Sequence, residues 1–334
     1  MLEPYYLIDA SIYIFRSYFG LPENWYSQKS GLGLSQEGDV GQESYPTQAV
    51  YGYLDFLLTL LEAESPNYIA AAFDESLGTC FRNTVYPEYK ANRVLPDPAL
   101  AFQLNACVEV TRLLGVTDFA SKTHEADDIV GTLAKIGRES GHQIIVISGD
   151  KDLSQLIVSD DVAWDFGRGE PQDRCMVKAK LGVWPEQIAD YLALVGDSID
   201  NIPGVPGVGP KTAAALLGHF SDIETLLNAG ERVAELPIRG AKQLPAKIES
   251  YREQILMSQK LTVIAEDVPM LSVKNLEIIK NGSIESNSAL MRRSIDMDKL
   301  AVFCEAMGLP DRFLIRADKI SVPPQKVYQQ GRTE

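Results

Sequence analysis

The chain has 334 residues, 45% of them hydrophobic, and a formal net charge of −15. This length and composition argue against a disordered or fibrous protein, and no run of about 18 apolar residues marks a membrane span. The excess of acids argues against a general polyanion binder, although acids that gather around divalent cations reverse the local charge once the cations bind. The four cysteines form no CxxC pair, so we expect reduced thiols in a cytoplasmic protein.

The first two-thirds of the chain alternates compact apolar runs with helical segments, a pattern that is typical of a parallel α/β sheet. The expected elements are strands at 6–8, 68–73 and 143–147, and helices at 49–61 and 104–114. The stretch Trp25–Tyr45 is rich in Ser, Gly and Gln and has no periodicity, which predicts a surface loop.

The pattern changes from about Val183 onward to helices joined by Gly and Pro turns, which predicts a helical subdomain. The next strand-like run is at residues 261–265. The tail after Ser321 contains two prolines and several glutamines, so we expect it to be disordered.

Each of the three predicted strands leads into an aspartate: Asp9, Asp74 and, after a Ser-Gly turn, Asp150. Aspartate is common in turns, which is the simplest explanation for any one of them. In a parallel sheet, however, these positions lie at one edge, where open α/β folds bind their ligands. The sequence therefore predicts that three acids from distant segments converge there.

Further acids follow in short motifs. Glu125, Asp127 and Asp128 open a predicted helix, where acids can serve the helix dipole but also repel one another unless a cation lies between them. Two more pairs are formed by Asp150 with Asp152 and by Asp197 with Asp200. Carboxylates without matching His or Cys favour Mg²⁺ or Mn²⁺, and the number of acids exceeds the needs of one ion. Two ions suit in-line hydrolysis of a phosphodiester.

A glycine-rich turn precedes a predicted helix at residues 201–216. Its backbone N–H groups and a neighbouring lysine can approach phosphates closely. The spacing of these residues does not fit a P-loop, which argues against ATP binding. The predicted DNA-binding residues of this turn are Gly204, Gly207, Gly209, Lys211 and Thr212.

The motif Gly196-Asp-Ser-Ile-Asp-Asn-Ile-Pro-Gly-Val-Pro-Gly-Val-Gly-Pro-Lys-Thr-Ala213 resembles the helix-three-turn-helix signature of the 5′ nuclease (flap endonuclease) superfamily. The motifs at residues 125–134 and 148–152 match in the same order, and the resemblance covers about four-fifths of the chain. Within this superfamily, the chain is similar to the 5′-3′ exonuclease domain of bacterial DNA polymerase I. Because no polymerase segment follows, we expect a stand-alone relative.

The resemblance implies an α/β fold with a PIN-like parallel sheet flanked by helices and a helix-three-turn-helix DNA-binding subdomain. The expected units are a nuclease domain with a helical arch at 1–180, the DNA-binding subdomain at 181–270, and an extension with a disordered tail at 271–334.

The resemblance also implies roles for individual residues. One metal group would comprise Asp9, Asp74, Glu125, Asp127 and Asp128, and a second would be reached by Asp150, Asp152, Asp197 and Asp200. Near the arch, Lys90 and Arg93 would steady the scissile phosphate, Tyr89 would stack on a base, and Arg82 and Arg16 would lie near the DNA. A K⁺ ion would be held by the main-chain oxygens of Leu194, Val195, Pro203, Val205 and Val208.

The leading hypothesis is a monomeric, Mg²⁺- or Mn²⁺-dependent nuclease with 5′-3′ exonuclease and flap endonuclease activity in replication or repair. Its substrates would be DNA with 5′ flaps or 5′ ends, and its product would carry a 5′-phosphate. One alternative is a branched-DNA-binding protein that has lost catalysis. Another is an RNA-cutting enzyme of the PIN type, although those proteins resemble only the front half of the chain.

Overall fold

The computed structural model describes residues 2–28, 44–269 and 290–323. Its centre is a parallel five-stranded sheet with the strand order β3-β2-β1-β4-β5. The strands are β1 (Tyr5–Asp9), β2 (Tyr68–Asp74), β3 (Thr117–Ser121), β4 (Ile144–Ile147) and β5 (Val162–Trp164). The predicted α/β class is confirmed, and the three predicted strands are the three central ones.

Helices cover both faces of the sheet, as a parallel sheet requires. The α-helices that precede the helical subdomain are α1 (Ala10–Gly20), α2 (Gln48–Glu64), α3 (Arg82–Val85), α4 (Pro98–Leu113) and α5 (Ala126–Glu139). Alternate side chains of β1 enter two separate cores: Tyr6 and Ile8 pack with α1, α2 and α4, whereas Tyr5 and Leu7 pack with α5. This burial on both faces explains why the strands read as continuous apolar runs.

The order of the strands creates a switch point beside β1. From β1 the chain continues to β2 and β3 on one side, and then returns to place β4 and β5 on the other side. In open α/β sheets the ligand crevice opens at the carboxyl ends of the strands at such a point. Asp9 ends β1 there, and Asp150 follows β4 after two residues.

The helical subdomain follows the sheet and has its own apolar core. Its α-helices are α6 (Arg174–Leu181), α7 (Ile188–Val195), α8 (Pro210–Phe220), α9 (Ile223–Leu227), α10 (Leu244–Ser250) and α11 (Arg252–Thr262). Short 3₁₀ turns lie at Asp152–Leu156, Pro185–Gln187, Gly230–Glu235 and Ala241–Gln243. None of the helices in the described part of the chain is long and apolar enough to cross a membrane.

Two C-terminal helices, Met297–Ala306 and Arg312–Lys319, pack against the first domain. Leu300 and Phe303 of the first of these helices are buried in the core that contains α1, α2 and α4. On the second, the Arg316 guanidinium binds the carboxylates of Asp55 and Glu62 on α2. The end of the chain therefore supplies part of the core of the sheet domain.

Several sequence predictions need correction or lie outside the described residues. The strand-like run 261–265 is not a strand, because α11 continues to Thr262 and an irregular segment follows. The short strands β3 and β5 were missed, since β3 contains Thr, Asp and Ser and β5 is only three residues long. Residues 29–43 of the predicted surface loop and residues 324–334 of the predicted disordered tail lie outside the described residues. The four cysteines are free thiols, as predicted.

Candidate active site

The ends of β1 and β2 place two acids beside the N-terminus of α5. Asp9 is nearly buried, its Oδ1 accepts a hydrogen bond from Ser11 N at 3.2 Å, and its Oδ2 accepts one from Ser148 Oγ at 2.9 Å. Asp74 accepts a hydrogen bond from Ala126 N, the first residue of α5, at 2.8 Å. The two carboxylates are close enough for Asp74 to affect the pKa of Asp9.

The acids of this edge repel one another. Burial, and then the neighbouring Asp74 carboxylate, raises the pKa of Asp9 to about 7. The pKa of Asp127 lies well above its ordinary value because of burial and the charges of Asp9 and Asp150. Asp127 therefore lies among acids contributed by two different strands.

A second acidic group lies beside the first. Burial, and then Asp150, raises the pKa of Asp152 to about 7, and Asp197 and Asp200 contribute in the same direction. Asp152 Oδ1 is buried without a hydrogen-bond partner. A buried carboxylate oxygen without a partner, surrounded by other acids, is the environment that a divalent cation stabilises. The residues present therefore fit divalent metal ions.

Several of these acids are held by cationic side chains. Lys90 forms an ion pair with Glu125 and lies 3.6 Å from Asp200, while Arg93 Nη2 lies 2.5 Å from Asp200 Oδ1. Lys151 lies 3.7 Å from Asp197. As the side chains stand, no three His, Cys, Asp or Glu residues of the described ranges are arranged around one point as metal ligands.

The pKa of Lys90 reflects this balance. Burial lowers it, but the carboxylates of Glu125 and Asp200 outweigh burial, so the net pKa is raised above its ordinary value. Lys90 thus remains a cation beside these acids, and its side chain is 13% exposed. The more exposed Arg93, at 40%, extends from the same turn.

Asp128 and Arg82 bind each other in the structure, and the burial of this pair contradicts the predicted DNA contact of Arg82. Asp128 is fully buried, and Arg82 binds both of its oxygens, at 2.6 and 2.8 Å. The same carboxylate accepts hydrogen bonds from the backbone N–H groups of Glu125 and Ala265. This carboxylate thus accepts four hydrogen bonds within the protein, and its role as a metal ligand stays a prediction.

All three guanidinium nitrogens of Arg82 donate hydrogen bonds within the protein. Besides Asp128, it donates to the carbonyl oxygens of Leu261 at 2.7 Å and Val263 at 2.9 Å. Its side chain is 2% exposed. A phosphate cannot reach it, so Arg82 joins the sheet domain to the end of α11 and does not contact DNA.

Base stacking by Tyr89 is also excluded. The residue is 3% exposed, and its ring packs against Ile202 and Leu261 of the helical subdomain. Its hydroxyl donates a hydrogen bond to Glu125 Oε2 at 2.8 Å. Tyr89 therefore orients a cleft carboxylate from within the protein.

Arg16 lies beside the turn that carries Asp150. Its guanidinium forms a two-pronged ion pair with Asp165, with Nη2 2.8 Å from Oδ2. A Cβ atom at Gly149 would lie 1.9 Å from Arg16 Nη2, so glycine is required for this close approach. The Arg16–Asp165 pair packs against Gly149 in the Ser148–Asp150 turn. A DNA contact by Arg16 stays a prediction.

The predicted hairpin connects α7 to α8. Gly204 lies against the backbone, since a Cβ atom there would be 2.1 Å from Val195 O, and Gly207 has a left-handed φ of +78°. Gly209 is the N-terminal cap of α8, and the exposed Lys211 lies in the first turn of that helix. Thr212 is half-buried one residue later.

The main-chain oxygens proposed for K⁺ lie in the same connection. Val205 N donates to Leu194 O at 2.8 Å, Val208 N donates to Val205 O at 2.9 Å, and Ser258 Oγ donates to Pro203 O at 2.8 Å. These bonds hold α7, the hairpin and α11 together. The role of these oxygens and of Val195 O in cation binding stays a prediction.

Four further residues of the cleft and hairpin were missed. Ser148 accepts a hydrogen bond from Asp150 N at 3.0 Å and thus links Asp150 to Asp9. Lys247 Nζ donates to Pro206 O at 2.8 Å and adds a positive charge to the hairpin. Ser148 and Lys151 stand in the acidic motif itself, but the isolated Asp165 and Lys247 carry no sequence signal.

Two family models together match residues 4–282, which include the sheet and the helical subdomain. The model "5'-3' exonuclease, N-terminal resolvase-like domain" matches residues 4–182, and "5'-3' exonuclease, C-terminal SAM fold" matches residues 183–282. The chain belongs to the 5′-3′ exonuclease family. This membership confirms the resemblance found in the sequence.

Individual relatives agree with this family. The 5'-3' exonuclease of Buchnera aphidicola subsp. Schizaphis graminum is 32% identical over 291 residues, which are 87% of this chain and 96% of that protein. DNA polymerase I of Pseudomonas aeruginosa is 40% identical over 268 residues, which are 80% of this chain and 28% of the polymerase. The chain thus spans less than a third of the length of the polymerase relatives.

Solved structures show the same fold at low identity. A T5 5'-exonuclease structure with bound divalent metal ions (zinc) has a TM-score of 0.59 at 18% identity, covering 95% of this chain and 99% of that one. The catalytic core of Rad2 in complex with DNA substrate has a TM-score of 0.53 at 16% identity, covering 96% and 92%.

Proposed function

We propose that this 5′-3′ exonuclease family member hydrolyses phosphodiester bonds of DNA at 5′ flaps and 5′ ends with divalent metal ions. The observation that carries the proposal is the acidic cleft at the carboxyl edge of the sheet. The pKa values of Asp9 and Asp152 are raised, one buried carboxylate oxygen lacks a hydrogen-bond partner, and two cations of one turn contact these acids' neighbours Glu125 and Asp200. The named relatives include a 5'-3' exonuclease.

The cleft carboxylates divide into two proposed metal groups. Asp9, Asp74, Glu125 and Asp127 would hold one ion, and Asp150, Asp152, Asp197 and Asp200 would reach a second. Mg²⁺ is the expected ion, with Mn²⁺ as a substitute, because all donors are hard carboxylate oxygens. Bound ions would supply the charge that activates the attacking water and stabilises the phosphoryl oxygens.

The protein's own side chains would bind and orient the scissile phosphate. Lys90 and Arg93 emerge from one turn and now contact Glu125 and Asp200. If Glu125 and Asp200 held metal ions instead, Lys90 and Arg93 would be available to bind the phosphate oxygens. Fixed cations at this position would stabilise charge that develops in the transition state.

The helical subdomain would hold the duplex part of the substrate. The N-terminus of α8, preceded by Gly207 and Gly209, presents backbone N–H groups, with Lys211 and Lys247 beside them. The hairpin carbonyl oxygens would hold a K⁺ ion, which would supply positive charge for another backbone phosphate. Contacts with the DNA backbone give no information about the base sequence, as expected of an enzyme that recognises the shape of DNA. We propose that the enzyme acts as a monomer.

The test uses a labelled 5′-flap duplex and a matched single strand, with and without Mg²⁺. We expect Mg²⁺-dependent cleavage near the junction, a loss of at least about 100-fold in Asp127→Asn, and retained flap binding by that variant. Asp160→Asn is the control, because Asp160 is exposed and precedes β5 at the opposite edge of the sheet. Binding is also measured in KCl and in tetramethylammonium chloride, and weaker duplex affinity without K⁺ is expected.

Binding of the flap without any cleavage by the unmodified protein would refute the nuclease proposal. It would favour the alternative, a non-catalytic protein that binds branched DNA. Equal affinity in both salts would refute the K⁺ site alone.

A further inference from the structure

Two turns from distant parts of the chain meet at the cleft. The clamp turn, residues 86–93, carries both Lys90 and Arg93, and the acidic loop, residues 197–202, carries Asp200. Their backbones are joined directly, because Lys90 N donates a hydrogen bond to Asp200 O at 3.0 Å. The phosphate-facing cations are therefore held by the loop that begins the DNA-binding hairpin.

Two asparagine side chains complete this connection. Asn201 Nδ2 donates to Glu88 O at 2.7 Å, from the acidic loop to the clamp turn. Asn92 Nδ2 donates in the opposite direction, to Ile199 O at 3.2 Å and Ser198 O at 3.4 Å. Each turn thus contains one asparagine side chain that donates hydrogen bonds to backbone carbonyl oxygens of the other turn.

Each turn also contains one residue in a left-handed backbone conformation. Lys90 has φ +53° and Asn201 has φ +55°. Asparagine tolerates this region, but a lysine there is strained unless its surroundings compensate. The hydrogen bond from Lys90 N to Asp200 O supplies such compensation. The conformation that directs the Lys90 side chain into the cleft therefore depends on the acidic loop.

An apolar contact supports the same connection. The Tyr89 ring packs against Ile202 and Leu261, so the residue before Lys90 is anchored in the helical subdomain. On the other side of the turn, Arg93 binds Asp200. The clamp turn has no helix or strand of its own between α3 and α4, and these contacts define its position.

We propose that Asn92 and Asn201 are positioning residues that hold Lys90 and Arg93 over the cleft by joining the clamp turn to the acidic loop. This inference rests on the proposed nuclease function and adds a coupling to it. When the hairpin binds duplex DNA, the acidic loop at its start fixes the clamp turn. Neither asparagine touches the reacting phosphate, and their amide groups act only through the turn.

The test compares Asn92→Ala, Asn201→Ala and Asn201→Gly with the unmodified full chain. Asn201→Gly retains the left-handed conformation and removes only the amide, so it separates the hydrogen bond from backbone strain. We expect single-turnover cleavage of the flap duplex at saturating Mg²⁺ to slow about 5- to 50-fold in all three variants. The Kd for the flap duplex, measured in Ca²⁺, should change less than about twofold, because the hairpin itself is unaltered.

Two further measurements distinguish positioning from general destabilisation. In a Lys90→Ala, Arg93→Ala background, the asparagine substitutions should cause no additional loss of rate, because the groups they position are absent. In the metal-free protein without DNA, hydrogen exchange of the Lys90 amide should be faster in each variant. Asn67→Ala is the matched control, because Asn67 Nδ2 also donates between segments, to Glu3 at 2.9 Å, at the opposite edge of the sheet.

The outcomes are separable. Unchanged single-turnover rates in the asparagine variants of a protein that does cleave would overturn the positioning role. The same conclusion would follow if the variants slowed the Lys90→Ala, Arg93→Ala protein by the same factor as the unmodified one. Absence of cleavage by the unmodified chain would instead refute the proposed function, and this inference with it.

Discussion

At the residue scale, the cleft contains two kinds of charged pair that look alike in the sequence. Arg82 and Asp128 are fully buried and all their polar atoms are used within the protein. Lys90 pairs with the buried Glu125, and both Lys90 and Arg93 contact Asp200, which is 20% exposed. The first pair is buried within the protein, whereas we propose that the acids of the second group bind metal ions and that their cations then bind phosphate.

Removing the buried arginine should destabilise the protein. Arg82→Ala leaves Asp128 as an unpaired buried charge, so we expect a loss of about 3–5 kcal/mol in the free energy of unfolding. The double variant Arg82→Met, Asp128→Leu should recover much of this loss. Urea denaturation measures both, and Arg112→Ala, which breaks an exposed pair with Asp118, should cost less than about 1 kcal/mol. Weaker DNA binding by a fully stable Arg82→Ala protein would contradict the structural role.

At the scale of elements, the acidic edge forms because three parallel strands end, and helix α5 begins, at the same place. Asp9, Asp74 and Asp150 follow β1, β2 and β4, which are neighbours in the sheet. The capping box of Glu125 and Asp128 fixes the first turn of α5 and leaves Asp127 among these acids. The carboxylates at this edge repel one another, and bound cations would relieve this repulsion.

The metal-free protein should therefore lose stability as the pH rises. Asp9 and Asp152 have pKa values of about 7 in the folded chain and ordinary values near 4 when unfolded. Between these values the folded state binds more protons, so stability falls from about pH 4 to about pH 7. We expect Tm in EDTA to be several degrees lower at pH 8 than at pH 6, and Mg²⁺ to remove most of this difference. Asp9→Asn removes one of the two titrating groups, so its Tm should fall less between pH 6 and pH 8. A Tm that rises between pH 6 and pH 8 in both proteins would contradict the prediction.

At the scale of the whole molecule, segments far apart in the chain complete each other. The clamp turn is positioned by the helical subdomain, and Arg82 joins the sheet domain to the end of α11. The helices after residue 296 fill the core beneath α2 and α4. The described parts thus depend on one another for stability as well as for the cleft.

Truncating a core side chain near the C-terminus should destabilise the sheet domain. Phe303 is 1% exposed within the core formed by α1, α2 and α4. Phe303→Ala should lower the free energy of unfolding by about 3–5 kcal/mol, as measured by urea denaturation. Val302, one residue earlier and 59% exposed, provides the control, and Val302→Ala should change it by less than about 0.5 kcal/mol. If the C-terminal helices were an independent extension, Phe303→Ala would leave the main unfolding transition unchanged.

The family, the α/β class, the central strands and the acids at their ends could all be predicted from the amino-acid sequence. These follow from local features: continuous apolar runs, residues after strand ends, and motif spacing. Only the tertiary structure decided which charges are free. Asp127 and Asp128 are adjacent in the chain, yet one lies among acids and the other binds Arg82, because α5 turns consecutive side chains in different directions. The burial of Tyr89 and the pairing of Arg16 with Asp165 likewise depend on partners more than 100 residues away, which no local pattern specifies.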